Sequence, residues 1–590
     1  MLLGISKSIS KRKKECALIM RKQTKLVAVL STAALLALGA SMSSFAATGW
    51  QEENGTWVYY DKSGDKVEDK WEKSGDNWFY LDGNGEMSTD LIVEYNDNYY
   101  YVDDNGSMVT NKWVSVENSD FDGSDENEPA NHWYYFGSNG KAYKGASSSS
   151  TASFKNINGK KYIFDNEGKM LYGWIAEDGQ RDTTDDAWKK GNGVYYCGNE
   201  NDGAQAIGWS YLHIKDSQWD SSQDIGASSK NVFDDEDQDR WFYFKSNGKK
   251  MEDKTGETIN GKKYSFDEDG RMNAEWVNWS ATPTYSTVAT PGITATYGSA
   301  TYTEGFRYYG DPEDGARKTK GWFQVVPDSY LDDGDYSDDS ENWYYGDKDG
   351  KLVASELKTI NGKKYAFNEK GVMLDGFRFI KLDTDNKTIV SIQKKDTGNA
   401  PAAANQLVSG IDASDFKFDT LDGFKKHASS WEKEGYKLYY FGGGEDGSMK
   451  TGKQNLAIDG ENAGFLFNKS GSFKGSGKTG IDSKKYYQSG MLMAADKEDK
   501  YAVVKINKSG DVVTHVTLLT TDEFIRTLGV SSSADSTKYS EDFDLTAKIA
   551  SEKLAHVEYR LVNTSGAVQK SKTKVKDGND RCYTVGTDGT

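Results

Sequence analysis

Cysteine, proline and histidine are scarce in this 590-residue chain, at three, six and five residues. Cys16 lies in the N-terminal leader and only Cys197 and Cys582 remain, far apart, so there is no disulfide framework and no zinc-ligand spacing. The histidines, His132, His213, His427, His515 and His556, are nowhere paired at metal-ligand spacing. A Gly-x-Ser-x-Gly nucleophile elbow and a phosphate loop are both absent. A paired-carboxylate glycosidase would need a scaffold of about 150 residues that the repeats described below leave no room for. The chain reads as noncatalytic, with no cofactor and no metal. Long apolar runs are missing too: the run from Leu26 to Ala40 is short for a membrane helix, and nothing longer follows.

Positive charge is also in deficit, with 73 Lys+Arg against 91 Asp+Glu. The first 47 residues hold eight of the basic residues and a single Glu, so without them 65 basic side chains face 90 acidic ones, a net of −25. Such a chain repels polyanions, which argues against nucleic acid as a partner. Hydrophobic residues make up 36% and mean hydropathy is −0.76, too polar for a set of large cores. Aromatics nevertheless reach 13% and glycines number 61, a composition for short strands and tight turns and against disorder.

The leader has the order of a secretory signal: a basic Met20-Arg21-Lys22-Gln23-Thr24-Lys25, the apolar run, then Ser44-Phe45-Ala46 with small residues flanking a cleavage site. Export and processing after Ala46 or Ala47 follow, with no membrane span in the mature chain. Met20 is the preferred start over Met1, since it opens the basic region directly.

Internal repeats decide the architecture. Trp57-Val58-Tyr59-Tyr60-Asp61, Trp78-Phe79-Tyr80-Leu81-Asp82 and Tyr99-Tyr100-Tyr101-Val102-Asp103 recur at one fixed interval, as do Gly64, Gly85 and Gly106. Trp71, Ile92 and Trp113 follow at the same interval. Each unit reads as an aromatic strand, a turn at the glycine and a second short strand. Farther on, Ile157-Asn158-Gly159-Lys160-Lys161-Tyr162 returns from Ile259 to Tyr264 and from Ile360 to Tyr365, a much longer period, and in degenerate form from Ile481 to Tyr486. Trp241-Phe242-Tyr243-Phe244 is answered by Trp343-Tyr344-Tyr345, and Gly208-Trp209 by Gly321-Trp322.

A lone hairpin is marginal in water, so these units must bury aromatic faces on their neighbours. The expected fold is all-β: an elongated solenoid of tandem β-hairpin repeats of about 20 residues each, with a signal peptide and a less regular C-terminal segment. The expected divisions are a leader at 1–46, Trp-rich hairpins at 47–145, a hairpin super-repeat at 146–379, a linker or irregular segment at 380–437, further hairpins at 438–495 and an irregular segment at 496–590. The linker centres on Asn399-Ala400-Pro401-Ala402-Ala403-Ala404, and short helices are expected at Asp522 to Leu528 and Asp542 to Lys553. Thr587-Asp588-Gly589-Thr590 stop inside a turn, which reads as a truncated repeat.

The pattern Gly49-Trp50, Gly55-Thr56-Trp57-Val58-Tyr59-Tyr60, Gly64, Trp71, repeated at that fixed interval, resembles the cell-wall-binding (choline-binding) repeats of Gram-positive surface proteins. The Ile259 to Met272 type of unit is similar to the glucan-binding repeats of streptococcal glucosyltransferases and the repetitive oligopeptides of clostridial toxins. The resemblance implies a secreted protein of the cell wall or cell surface of a Gram-positive bacterium, binding choline of teichoic acids or polysaccharide in aromatic cages between hairpins. Carried onto this chain, it puts Trp57, Trp71 and Trp78 in one cage, and Tyr99, Trp113 and Trp133 in a second interrupted by the insertion from Ser115 to Asn131. Ile92 stands where a cage would need Trp, and Lys-Tyr often replaces the strand Trp between 157 and 379, so those units read as scaffold or sugar-facing repeats.

Several readings stay open beside these. The same rings serve as solenoid core without any ligand, or as stacking platforms for sugar. A secreted carbohydrate-binding adhesin, a toxin-like receptor-binding module or a structural spacer would use the same architecture. The acidic runs Asp234-Asp235-Glu236-Asp237 and Asp332-Asp333-Gly334-Asp335 lack the terminal Glu of a calcium loop and read as solvated loops.

Overall fold

The computed structural model describes residues 48–125, 127–146, 150–216, 236–278, 301–329, 331–394, 418–528 and 545–590. The leader, residues 399–404, and Asp234 and Asp235 lie outside these. The chain divides into two compact units, one through Tyr172 together with Asn199–Ala204, the other Gly173–Gly198 with Gln205–Thr590. Two-stranded antiparallel hairpins dominate both.

In the first unit, β1 (Gly49–Glu53) pairs with β2 (Thr56–Tyr60), β3 (Lys70–Ser74) with β4 (Asn77–Leu81), β5 (Leu91–Tyr95) with β6 (Asn98–Val102), and β7 (Lys112–Glu117) with β8 (Asn131–Phe136). The phase differs from the one expected from the glycine turns. Pairing runs across Asn54-Gly55 and Asn96-Asp97, where both residues have positive φ (52° and 84°, 50° and 57°). Two left-handed residues match the right-handed twist of the flanking strands, so the ladder extends from such a turn. The Gly64 and Gly85 turns instead join one hairpin to the next, closed by the single bridges Tyr60↔Lys66 and Leu81↔Met87. There the Asp61 carboxylate accepts the backbone N–H of Ser63 (2.7 Å) and Asp65 (3.0 Å), and Asp82 does the same for Asn84 and Glu86 (both 2.9 Å). These Asx turns explain the recurring Asp ahead of each glycine. The Ser115 to Asn131 insertion lengthens the loop of one hairpin and leaves its ladder intact, with Ser115 opposite Trp133.

Alternation along each strand gives every hairpin two unlike faces. In β4, Phe79 and Leu81 are buried on one face while Trp78 and Tyr80 take the other. Successive hairpins stack unlike face to unlike face: Trp50 of the first meets Phe79 of the second edge-on, centroids 5.3 Å apart. A backbone latch fixes each stack. The N–H of Met87 donates to the Trp57 carbonyl, Met108 to Trp78, Ala142 to Tyr99 and Met170 to Trp133, all at 2.8 Å. Gly106 is favoured by its left-handed φ of +75°, and a Cβ there would lie 2.9 Å from the Met87 methyl, so that flexible side chain would have to shift.

The second unit repeats the scheme. Gly208–Lys215 pairs with Asp237–Phe244, Lys254–Ile259 with Lys262–Phe266, Gly321–Val325 with Asn342–Gly346, and Glu356–Ile360 with Lys363–Phe367. The Asn-Gly of each Ile-Asn-Gly-Lys-Lys-Tyr motif forms the same doubly left-handed turn, as at Asn260 (φ 50°) and Gly261 (φ 81°). Beyond Gly376 the regularity gives way. Gly376–Leu382 centres a three-stranded sheet between Ile389–Lys394 and Lys437–Phe441, so part of the segment expected as linker is ordered strand. The helix Leu421–Lys433, capped by Thr420, buries His427 and packs Phe424, Ala428 and Trp431 into the largest apolar cluster among the described residues. Thr521–Thr527, opened by a Thr520–Glu523 capping box, and Leu545–Leu554 are the two expected short helices. No described helix is long and apolar enough to cross a membrane.

Candidate functional site: aromatic boxes between hairpins

Cross-strand pairing of Trp71 with Tyr80, and of Lys73 with Trp78, places Trp71, Trp78 and Tyr80 on one face of their hairpin. Trp71 lies 5.2 Å from Tyr80 and 5.2 Å from Tyr100 of the next hairpin. Trp78 remains 40% exposed and makes no ring-to-ring contact among the described residues, so the box opens to solvent along its indole. Burial raises the hydroxyl pKa of Tyr80 and Tyr100, with Asp69 adding to the effect at Tyr80, so both rings are neutral phenols.

The arrangement recurs with little variation. Trp113 and Trp133 share a face with Tyr135, and the next hairpin brings Tyr162 to 4.8 Å and Phe164 to 5.7 Å from Trp113. Trp209, on a face with Trp241 and Tyr243, meets Tyr264 at 4.8 Å and Phe266 at 5.7 Å, and Trp322, on a face with Trp343 and Tyr345, meets Tyr365 at 4.8 Å and Phe367 at 5.6 Å. The two tryptophans stand edge-on at 6.2 Å in the Trp209 box and 6.3 Å in the Trp322 box. The Lys-Lys-Tyr units therefore supply the closing wall of three boxes, which their lack of a strand Trp concealed.

Of the residues singled out from sequence, Trp71 and Trp78 share one box, and Trp113 and Trp133 another. Trp57 and Tyr99 each lie one junction earlier. Trp57 is on the face that carries Trp50 and Tyr59 toward Phe79. Tyr99 shares a face with Ile92 and Tyr101, where Ile92 and Tyr101 pack on Val114, Tyr134 and Phe136. The junction with Ile92 is thus an apolar contact in place of an aromatic box. Tyr100, Tyr162, Tyr264 and Tyr365 were missed because they sit on the opposite face of the following hairpin, a relation visible only once the hairpin phase is known.

Beside the Trp322 box a cavity of about 740 Å³ reaches Trp343 and is lined by Asp332, Asp335, Glu341, Glu369, Asp375 and Glu445 against the cations Lys370 and Arg378. Asp332 pairs with Lys370 at 2.6 Å, Asp375 with Arg378 at 2.7 Å, and Asp335 accepts from Asn342 at 2.7 Å. That surplus of carboxylates gives the box a negative surround, and π faces with carboxylates suit an organic cation. Among the described residues no group of three or more His, Cys, Asp or Glu is placed to hold a metal. Cys197 is buried and its thiol is pushed up to about 12 by burial, the state of a packing residue and not of a nucleophile.

The sequence model of a choline-binding repeat matches residues 47–90 and 69–113, and that of a putative cell wall binding repeat matches 130–142 and 236–250. Glucosyltransferase-S of Streptococcus mutans is 25% identical over 274 residues, which is 46% of this chain and 13% of that protein, so the chain spans about an eighth of the curated relative it matches. Among solved structures, choline binding protein F of Streptococcus pneumoniae aligns over 70% of this chain and 98% of its own at 18% identity and a TM-score of 0.32. The modular autolysin LytC of the same organism, solved with a synthetic peptidoglycan ligand, aligns over 58% and 56% at 17% identity and a TM-score of 0.28. With hairpins of the matched repeats at 47–113, 130–142 and 236–250, and the same aromatic junctions rebuilt beyond them, the chain carries choline-binding (cell-wall-binding) repeats.

Proposed function

We propose that the protein is an exported, noncatalytic component of a Gram-positive cell surface, held to the wall by choline head groups of teichoic acid seated in the aromatic boxes. One observation carries the reading: the same set of rings, two tryptophans and a tyrosine of one hairpin closed by a tyrosine of the next, is rebuilt at four junctions with nearly constant spacing. A quaternary ammonium donates no hydrogen bond, and each ring face attracts it by about 0.5 to 2 kcal/mol. The boxes at Trp71, Trp113, Trp209 and Trp322 are the proposed sites. The absence of catalysis is part of the proposal, supported by the use of the hairpins for stacking and by a buried Cys197.

The second reading, glucan binding, is favoured by Tyr211. It is 49% exposed and lies 5.0 Å from Trp241, which widens the Trp209 box into a platform for a sugar face. The similarity to Glucosyltransferase-S supports the same reading. Binding of residues 48–590 to choline-bearing resin and elution by free choline is the expected result. Retention on α-glucan with indifference to choline would replace the first reading by the second.

A further inference from the structure

A second cavity, of about 520 Å³, opens in the nonrepetitive part of the second unit, beside the C-terminal end of the helix Leu421–Lys433, and has the opposite electrostatic character. Its walls include Lys433, Lys437, Lys478, Glu432, His515 and Phe473. In a chain with 91 acidic against 73 basic side chains, three lysines around one cavity would be expected to find carboxylates, yet among the described residues none of the three closes an ion pair. Glu432 feels Lys437 electrostatically but spends its hydrogen bonds elsewhere, accepting from the Thr479 hydroxyl at 2.9 Å and the Gln488 amide at 2.6 Å. His515 adds no charge at neutral pH, since burial, with Lys433 and Lys505, lowers its pKa to about 4. Three lysines against one glutamate leave the cavity with a net positive charge. The adjacent helix end presents carbonyl dipoles, which offer an anion nothing, so any attraction for one comes from these side chains.

Phe473 supplies the other half of the site. Its ring is 47% exposed, and the Lys437 ammonium lies 5.2 Å from the ring centroid, at the boundary between the apolar platform and the basic wall. The backbone that carries the ring is held, because the backbone N–H and the hydroxyl of Ser476 both donate to the Phe473 carbonyl, at 2.9 and 2.8 Å. An exposed ring beside ammonium groups that close no ion pair among the described residues, in a cavity within the about 300–1,000 Å³ of small-molecule sites, fits a ligand with both an apolar ring face and an acid group.

We propose that this cavity binds an anionic sugar, with the acid group among Lys433, Lys437 and Lys478 and a ring face on Phe473. The site is independent of the aromatic boxes. The test is saturation-transfer NMR on residues 48–590 in low salt with four probes: glucose 6-phosphate, glucuronate, glucose and inorganic phosphate. One or both anionic sugars bind, with transfer to the ring protons, and the tighter of the two identifies the acid group. Lys437→Gln and the exposed Lys433→Gln each weaken binding about ten-fold, and Phe473→Ala about five-fold. Trp78→Ala leaves it unchanged, which separates this site from the choline reading. No binding of either anionic sugar, equal binding of glucose, binding of inorganic phosphate alone, or affinity unmoved in both lysine variants would overturn the proposal.

Discussion

Trp78→Ala is the substitution that best separates ligand binding from packing. Trp71, touching Tyr80 and Tyr100, is part of the stack. Each such pair is worth about 0.5 to 1.5 kcal/mol, so Trp71→Ala, with the void it leaves, is expected to cost about 3 kcal/mol of stability. Trp78 is on the same face but 40% exposed and without a ring partner among the described residues, so its removal is expected to cost about 1 kcal/mol or less. Its loss from the box takes away about 0.5 to 2 kcal/mol of attraction for a quaternary ammonium, a factor of about two to thirty in affinity at that site. Ile92→Ala, at an apolar junction, should leave choline affinity alone. The assay is 5-fluorotryptophan NMR, with the Trp71 and Trp78 resonances assigned by their disappearance in the variants, alongside thermal melting. Choline should shift both resonances in the unaltered protein, and the Trp71 shift should need more choline in Trp78→Ala, whose melting temperature falls far less than that of Trp71→Ala. Unaltered affinity in a folded Trp78→Ala protein would remove Trp78 from the site. A melting temperature that drops as far as that of Trp71→Ala would make it a packing residue.

Three further outcomes follow from the geometry. Gly106→Ala should lower the unfolding free energy measured by denaturant titration by more than the about 1 kcal/mol that a left-handed alanine costs by itself, because the new Cβ also displaces the Met87 methyl, which would lie 2.9 Å away; Gly159→Ala, at φ +85° with open space around it, should show only the conformational cost. A thiol reagent should modify the exposed Cys582 in the native protein and reach Cys197 only on unfolding, since burial holds that thiol at about 12. Glu275 has a buried carboxylate oxygen without a partner, and burial, then Asp311, raise its pKa to about 7. The folded state therefore keeps a proton that the unfolded state loses near pH 4.5, so this group's contribution to stability is full below about 4.5 and is lost as pH rises to about 7; urea titrations across that range should show the decline, and Glu275→Gln should remove it.

The hairpin architecture was legible because its determinants are local: the fixed-interval recurrence of aromatic strands and the Asn-Gly of each Ile-Asn-Gly-Lys-Lys-Tyr motif. The phase was not. Asp61 to Gly64 and Asn54-Gly55 both look like turns in sequence, and only the φ values distinguish them. Two successive left-handed residues at Asn54 and Gly55 let a ladder of five pairs form, whereas the Asx turn at Asp61 with its single left-handed Gly64 supports one bridge. Assigning the ladder to the wrong turn shifts the grouping of rings by one junction, which is why Trp57 and Tyr99 were joined to tryptophans they do not face. The ordered segment around Leu421–Lys433 escaped for another reason. Its flanking strands, Gly376–Leu382 and Lys437–Phe441, pair across an intervening strand and the helix itself, a connection that no local pattern records.

The latch between hairpins gives a reason to assign the exposed strand tryptophan Trp78 to something other than folding. At Trp57, Trp78, Trp133 and Trp241 the latch is a backbone hydrogen bond to the tryptophan's own carbonyl, at 2.8 Å. At the equivalent positions of the Lys-Lys-Tyr units the residue is lysine, and the bond persists: Arg317 donates to the Lys263 carbonyl and Met449 to the Lys364 carbonyl, both at 2.8 Å. The position thus serves the stack through its main chain whatever side chain it carries, and a lysine there leaves the geometry unchanged. A large aromatic side chain that the fold does not need, left 40% exposed at Trp78, adds apolar surface to solvent without a compensating contact. On the proposed reading, what it gains is a place for its ring on the face that carries Trp71, which Tyr100 of the next hairpin closes. Lys-bearing hairpins then close the box of the preceding unit without opening one of their own on that edge, so box-forming and box-closing hairpins alternate from Trp209 to Tyr264 and again from Trp322 to Tyr365.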